Sequence, residues 1–218
     1  SRVLSRLAMP AASAALLLLG TELAARALGL GHPLVDRSAN TTDGVLPFKP
    51  RPGSTRHSPS PEFDPEYRHN DEGFRDIPRS RSAPAGTFRV VGLGDSFTYG
   101  VGVAEEATYL RTSERTLVAR NLRVEVLNEA VYGFFPATER LVLENYSLLH
   151  QPDLVIVGFV PNDVVDTYYG DRAWRVDASG ELLVLDGVDL GWIGSRLHRL
   201  SVIARVVIER MVTARRRG

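Results

Sequence analysis

Val90-Val91-Gly92-Leu93-Gly94-Asp95-Ser96-Phe97-Thr98-Tyr99-Gly100 is the stretch whose reading decides the fold. The run from Phe88 to Leu93 is largely apolar and predicts a buried strand. It breaks into a Gly-Asp-Ser turn, and glycine returns at Gly100 and Gly102. A serine at the carboxyl end of a buried strand, beside residues that permit a tight turn, is where α/β enzymes put reactive groups. A second reading needs no chemistry: Ser96 simply caps the helix that follows.

Downstream, Leu110, Leu117 and Val118 recur at helical intervals between charges, which predicts an amphipathic helix over 107–121. Arg123 to Asn128 alternates and ends in the glycine-bearing loop Asn128-Glu129-Ala130-Val131-Tyr132-Gly133, a second strand and turn. Pro136 suits the first turn of a helix running to about Leu149, with His150 as a cation at its end. Leu154 to Val160 is a near-continuous apolar strand, expected inside a parallel sheet, and it ends in Pro161-Asn162-Asp163. Strand, helix, strand, helix, strand is the doubly wound α/β pattern. In the flavodoxin-like order the first strand lies between the other two, so the loops bearing Ser96, Gly133 and Asn162 meet at one sheet edge. Such a site has the parts that acyl transfer needs: a hydroxyl nucleophile, a bare backbone N–H and a carboxamide donor.

Two familiar motifs are excluded by inspection. A dinucleotide fingerprint requires glycine where Phe97 stands, and the α/β-hydrolase elbow requires glycine where Thr98 stands. The Gly-Asp-Ser block resembles instead the first block of the SGNH/GDSL hydrolases. Gly133 and Asn162 stand where that family has its second and third blocks, and the resemblance covers about Tyr67 to Asp166. It implies an SGNH hydrolase fold (here incomplete) and a serine esterase, with Ser96 as nucleophile and the Ser96 N–H, Gly133 N–H and Asn162 amide around the oxyanion. A small-molecule or glycan ester is the implied substrate. The same constellation serves O-acetyltransferases of exported polysaccharide, and a non-catalytic membrane-anchored binding module is a third reading. Neither cofactor nor metal is implied.

The family's Asp-x-x-His block, its source of a base, is missing: Ser195 stands three residues before His198. The expected explanation is a fragment whose base lies beyond Gly218, so that these 218 residues alone are inactive. Between 171 and 218 an insertion is expected: a hairpin over Trp174 to Leu185 turning at Ala178-Ser179-Gly180, then one amphipathic helix from Leu190 with arginines opposite its apolar face. That helix packs on the sheet, lids the serine, or rests a basic face on anionic lipid.

Residues 1–30 carry an uncharged run, Leu7 to Thr21, centred on Leu16-Leu17-Leu18-Leu19 and preceded by Arg2 and Arg6. The run is shorter than the roughly 20 residues a spanning helix needs, but the apolar pattern resumes after Glu22. Glu22 and Arg26, four apart, pair on one helix face. An uncleaved membrane anchor is the leading expectation, with a cleaved signal segment or a buried helix as alternatives. Either of the first two places the domain in the periplasm or cell exterior. The arm over 31–86 is rich in Pro, Ser and Gly and reads as a linker, with a turn at Asn70-Asp71 packing Tyr67 and Phe74 on the domain surface. His57 and His69 have no ligand spacing there. The domain proper is expected over 87–218. Acids and bases balance at 26 each, which argues against a nucleic-acid partner, and the absence of cysteine excludes disulfides and thiolate metal sites.

Overall fold

The computed structural model describes residues 2–30, 39–57, 63–168, 175–180, 182–185 and 188–216. They divide into two units, one of residues 36–187 and one of 1–35 with 188–218. The helices are α1 (Arg2–Ala27), α2 (Ser96–Tyr99), α3 (Tyr109–Ala119), α4 (Pro136–Asn145), α5 (Asn162–Tyr168), α6 (Gly191–Leu200) and α7 (Val202–Arg216). The 36–187 unit holds the strands β1 (Asn40–Thr41), β2 (Lys49–Pro50), β3 (Thr55–His57), β4 (Glu66–Arg68), β5 (Phe88–Gly94), β6 (Val124–Asn128), β7 (Leu154–Gly158), β8 (Arg175–Val176) and β9 (Leu182–Leu185).

The sheet that matters is parallel and ordered β6–β5–β7, the arrangement expected from the sequence. Val90 pairs with Val126 on one side and Leu154 on the other. Val90, Leu110 and Val126 form a buried cluster with Val124 beside it. Burying each such aliphatic side chain contributes about 2 kcal/mol. Thr98 of α2 is wedged against the strand ends: a Cβ on Gly94 or Gly158 would lie 2.2 or 2.1 Å from its hydroxyl. Only glycine at both positions lets α2 sit this close to the strand ends, and Ser96 is its first residue.

The first strand departs from its hydropathy pattern. Phe88 is half exposed while Arg89 is fully buried. The Arg89 guanidinium donates to the Glu125 carboxylate and to the carbonyls of Ser80, Arg81 and His150, so burial leaves its charge paired.

The arm is packed rather than a free tether. Residues 31–38 and 58–62 lie outside the described residues, but β1 pairs with β2 and β3 with β4. Tyr67 and Phe74, expected on the surface, are buried. The turn at Asn70 forms as expected: its side-chain oxygen accepts from the N–H groups of Glu72 and Phe74 at 3.0 and 2.9 Å. Arg75 explains the burial that hydropathy missed. It stacks on Tyr67 and Tyr99 and donates to the carbonyls of Tyr99, Gly100 and Val103. His69 adds a 2.8 Å hydrogen bond to the Tyr99 hydroxyl, and burial holds its pKa down to about 4.

β7 corrects a second expectation. Among the described residues it pairs only with β5, and Leu154, Ile156 and Val157 are exposed rather than enclosed. The hairpin over β8 and β9 forms as predicted, with the Gly180 N–H closing on the Asp177 carbonyl at 2.8 Å, although Trp174 lies outside the described residues.

In the other unit, the single helix expected from Leu190 is two, α6 and α7, broken at extended Ser201. Glu22 and Arg26 of α1 do pair, at 2.8 Å. They also stitch the break: Glu22 accepts from the N–H groups of Val202 and Ile203 and the Ser201 hydroxyl, while Arg26 donates to the Leu200 carbonyl. These donors, the Val202 N–H foremost, hold the Glu22 carboxyl down at about 2. The expected membrane-spanning segment is not found: among the described residues no helix is long and apolar enough to cross a membrane. Gly20, Thr21 and Glu22 end the leucine run, and the carboxylate of Glu22 is committed to capping α7.

Candidate functional site

Ser96 follows β5 after the single residue Asp95, at the start of α2. The capping role open to it in the sequence falls to its neighbour: the Asp95 carboxylate accepts from the Phe97 N–H at 2.9 Å. The Ser96 hydroxyl makes no hydrogen bond among the described residues, and the residue is only partly buried. A serine beside a cap that another residue supplies has its oxygen free for chemistry.

Asn162 opens α5, after β7. Its Nδ2 donates to the second Asp95 oxygen at 3.1 Å and to Asp166 at 3.3 Å. The carboxylate next to Ser96 in sequence therefore grips both turns, α2 through the backbone and α5 through the carboxamide. The Asp95–Asn162 contact joins the loops after β5 and β7 directly.

Gly133 lies in the loop after β6, at φ +74°, a left-handed conformation that favours glycine. That loop is tied to the end of β5 by two backbone bonds, Glu129 N–H to the Gly92 carbonyl and Val131 N–H to the Gly94 carbonyl. The second bond lies two residues before Gly133 and two before Ser96. All three loops thus leave the same end of one parallel sheet.

Two carboxyl groups that sequence reading did not single out stand on the adjoining helices. Glu139 on α4 and Asp163 on α5 are buried, and each has one oxygen without a hydrogen-bond partner among the described residues. Burial raises both pKa values, and the neighbouring acids add to the effect: Asp163 and Asp95 for Glu139, Asp95 and Asp166 for Asp163. Glu139 reaches about 7. The Val160 N–H, donating to Asp163 at 2.7 Å, opposes the rise there. The only signal in the sequence was the adjacency of Asp163 to Asn162; Glu139 reads there as an ordinary helix-surface charge.

The described histidines are engaged elsewhere. His57 lies by Asp64 and Glu66, His69 bonds Tyr99, His150 bonds Glu72 at 2.8 Å, and His198 bonds Glu209 at 3.0 Å. His150, expected at a helix end, closes the helical turn Ser147–His150 and is buried beside Glu72 and Glu129. Among the described residues no group of three His, Asp or Glu side chains could hold a metal ion.

No known family profile matches this chain, and no curated protein matches it. Among solved structures, the chain is similar to AlinE4, described as an SGNH-hydrolase family esterase, with 22% identity and a TM-score of 0.33 over 39% of this chain and 46% of that one. It is similar also to a mutant of the same esterase, with 23% identity and a TM-score of 0.32 over 38% and 45%. The chain spans less than half the length of these solved relatives.

Proposed function

We propose that the 36–187 unit carries the nucleophile and the oxyanion donors of a serine ester hydrolase. One observation carries the reading: Asp95, adjacent to Ser96, holds the Asn162 carboxamide across the two strand ends at 3.1 Å. The order β6–β5–β7 supports it further by sending the Gly133 loop to the same edge.

In this reading the Ser96 oxygen attacks the acyl carbon of an ester on a small molecule or glycan. The carbonyl electron pair moves onto oxygen, and three donors stabilise the charge: the N–H groups of Ser96 and Gly133 and the Nδ2 of Asn162. Asp95 fixes the orientation of Asn162, and the weaker contact to Asp166 is the one an oxyanion displaces. The serine proton passes to a histidine other than the four whose partners are described above. Collapse of the intermediate expels the alcohol, and water then releases the acyl group. Burial raises the Glu139 pKa to about 7 and so favours its neutral form, which limits the negative potential around Asp95 and Asp163.

Asn162→Ala tests the carboxamide's role. In the protein expressed from its complete coding region, kcat for a short acyl ester is expected to fall about 10²- to 10³-fold, with KM little changed. An unchanged kcat would remove Asn162 from the oxyanion site.

A further inference from the structure

We infer that the unit of residues 1–35 and 188–218 binds the surface of an anionic lipid bilayer, lying on it rather than crossing it. The first observation is that α6 is turned inside out. Trp192, Ile193, Leu197 and Leu200 fall within an arc of about 140° on this helix. They are 72%, 66%, 50% and 60% exposed, whereas the polar Ser195 and His198 on the other side are each 4% exposed. A helix that hides its polar face and offers its apolar one to water is built to meet an apolar phase. α1 adds apolar surface to the same unit: Leu16, Leu17, Leu18 and Leu19 are all exposed, and four consecutive residues point around the whole circumference of a helix.

Charge identifies the occupant. The chain as a whole is neutral, but the neutrality is divided unevenly. Residues 1–35 and 188–218 hold ten arginines against three acids, a net +7, which leaves 36–187 at −7. An apolar face bearing a tryptophan and edged by arginine is the chemistry of a helix seated at an anionic headgroup boundary. The Arg196 guanidinium lies 4.9 Å over the Trp192 ring, within the apolar arc itself. From there its charge reaches headgroups while its stem and the indole enter the acyl boundary. A second copy would bring +7 against +7, and a groove in a protein partner would cover one side of the leucine run rather than its circumference.

The inference does not rest on the hydrolase reading, and neither fails with the other. Its test uses the 218-residue chain carrying Trp174→Phe, in which Trp192 is the remaining tryptophan and reports its own surroundings. Sedimentation with vesicles of phosphatidylcholine containing a third phosphatidylglycerol is expected to show at least about tenfold tighter binding than with phosphatidylcholine alone, falling as salt rises. Trp192 emission is expected to shift to the blue on binding. Ile193→Ser with Leu197→Ser, both exposed and so tolerable to the fold, is expected to weaken binding about tenfold or more. Arg196→Gln with Arg210→Gln is expected to erase most of the preference for the anionic vesicle. Folded protein that ignores both vesicles overturns the proposal. So does equal binding to both, binding with Trp192 still in water, or self-association that buries Trp192 without lipid.

Discussion

Ser96→Ala is expected to lower kcat for a short acyl ester by on the order of 10⁴-fold while leaving the fold intact. The two halves of that expectation come from different atoms. The Ser96 hydroxyl makes no hydrogen bond among the described residues, so its loss breaks none of those described. The helix start stays capped, because Asp95 accepts from the Phe97 N–H. Residual turnover would come from the donors that remain, the two N–H groups and Asn162. Initial rates on the protein from its complete coding region, with circular dichroism as the folding control, check both halves. Had Ser96 served only as a cap, the pattern would reverse, with helix stability lost by about 1 kcal/mol and activity kept.

The largest stability effect is expected at Arg89. Its guanidinium is fully buried, with Nη2 at 2.6 Å from Glu125 and Nη1 within 2.9 Å of the Ser80, Arg81 and His150 carbonyls. Arg89→Met keeps much of the volume but strands the carboxylate of Glu125 and leaves three carbonyls without this donor. Breaking one side of a buried ion pair costs about 3–5 kcal/mol, a large part of a domain's total stability. Urea unfolding should show that loss as a lower midpoint at an unchanged slope. A cost below about 1 kcal/mol would mean that water replaces the guanidinium freely.

Arg89 also marks the limit of what hydropathy could tell. The run from Phe88 to Leu93 announced its strand correctly, and three such strands fixed a sheet whose order the structure reproduces. Which face each residue took did not follow, because Arg89 buries a charge that four acceptor atoms from other parts of the chain satisfy while Phe88 remains half exposed. The arm failed for a related reason. Its core contacts are made by Arg75 over Tyr67 and Tyr99, an arrangement without periodicity. α6 inverted its faces and broke from α7 at Ser201, where Glu22 and Arg26 supply the caps from more than 170 residues away. Contacts so distant in sequence leave no local signal.

For the candidate site, residue types and order were legible and the link between them was not. Ser96, Gly133 and Asn162 come in the connections that follow three paired strands. Asp95, the residue that joins two of these loops, lay inside the quoted stretch but drew no role, since nothing local distinguishes a helix cap from a carboxylate that also grips Asn162. Glu139 and Asp163 were silent because their significance lies in burial, which raises their pKa values.

The most direct measurement is the mass of the full protein after reaction with a fluorophosphonate, which phosphonylates an activated serine. One adduct is expected, on the peptide containing Ser96, accompanied by loss of ester hydrolysis and absent from Ser96→Ala. Ester hydrolysis that persists with Ser96 unmodified, or an adduct on a different serine that accounts for the lost activity, would contradict the assignment.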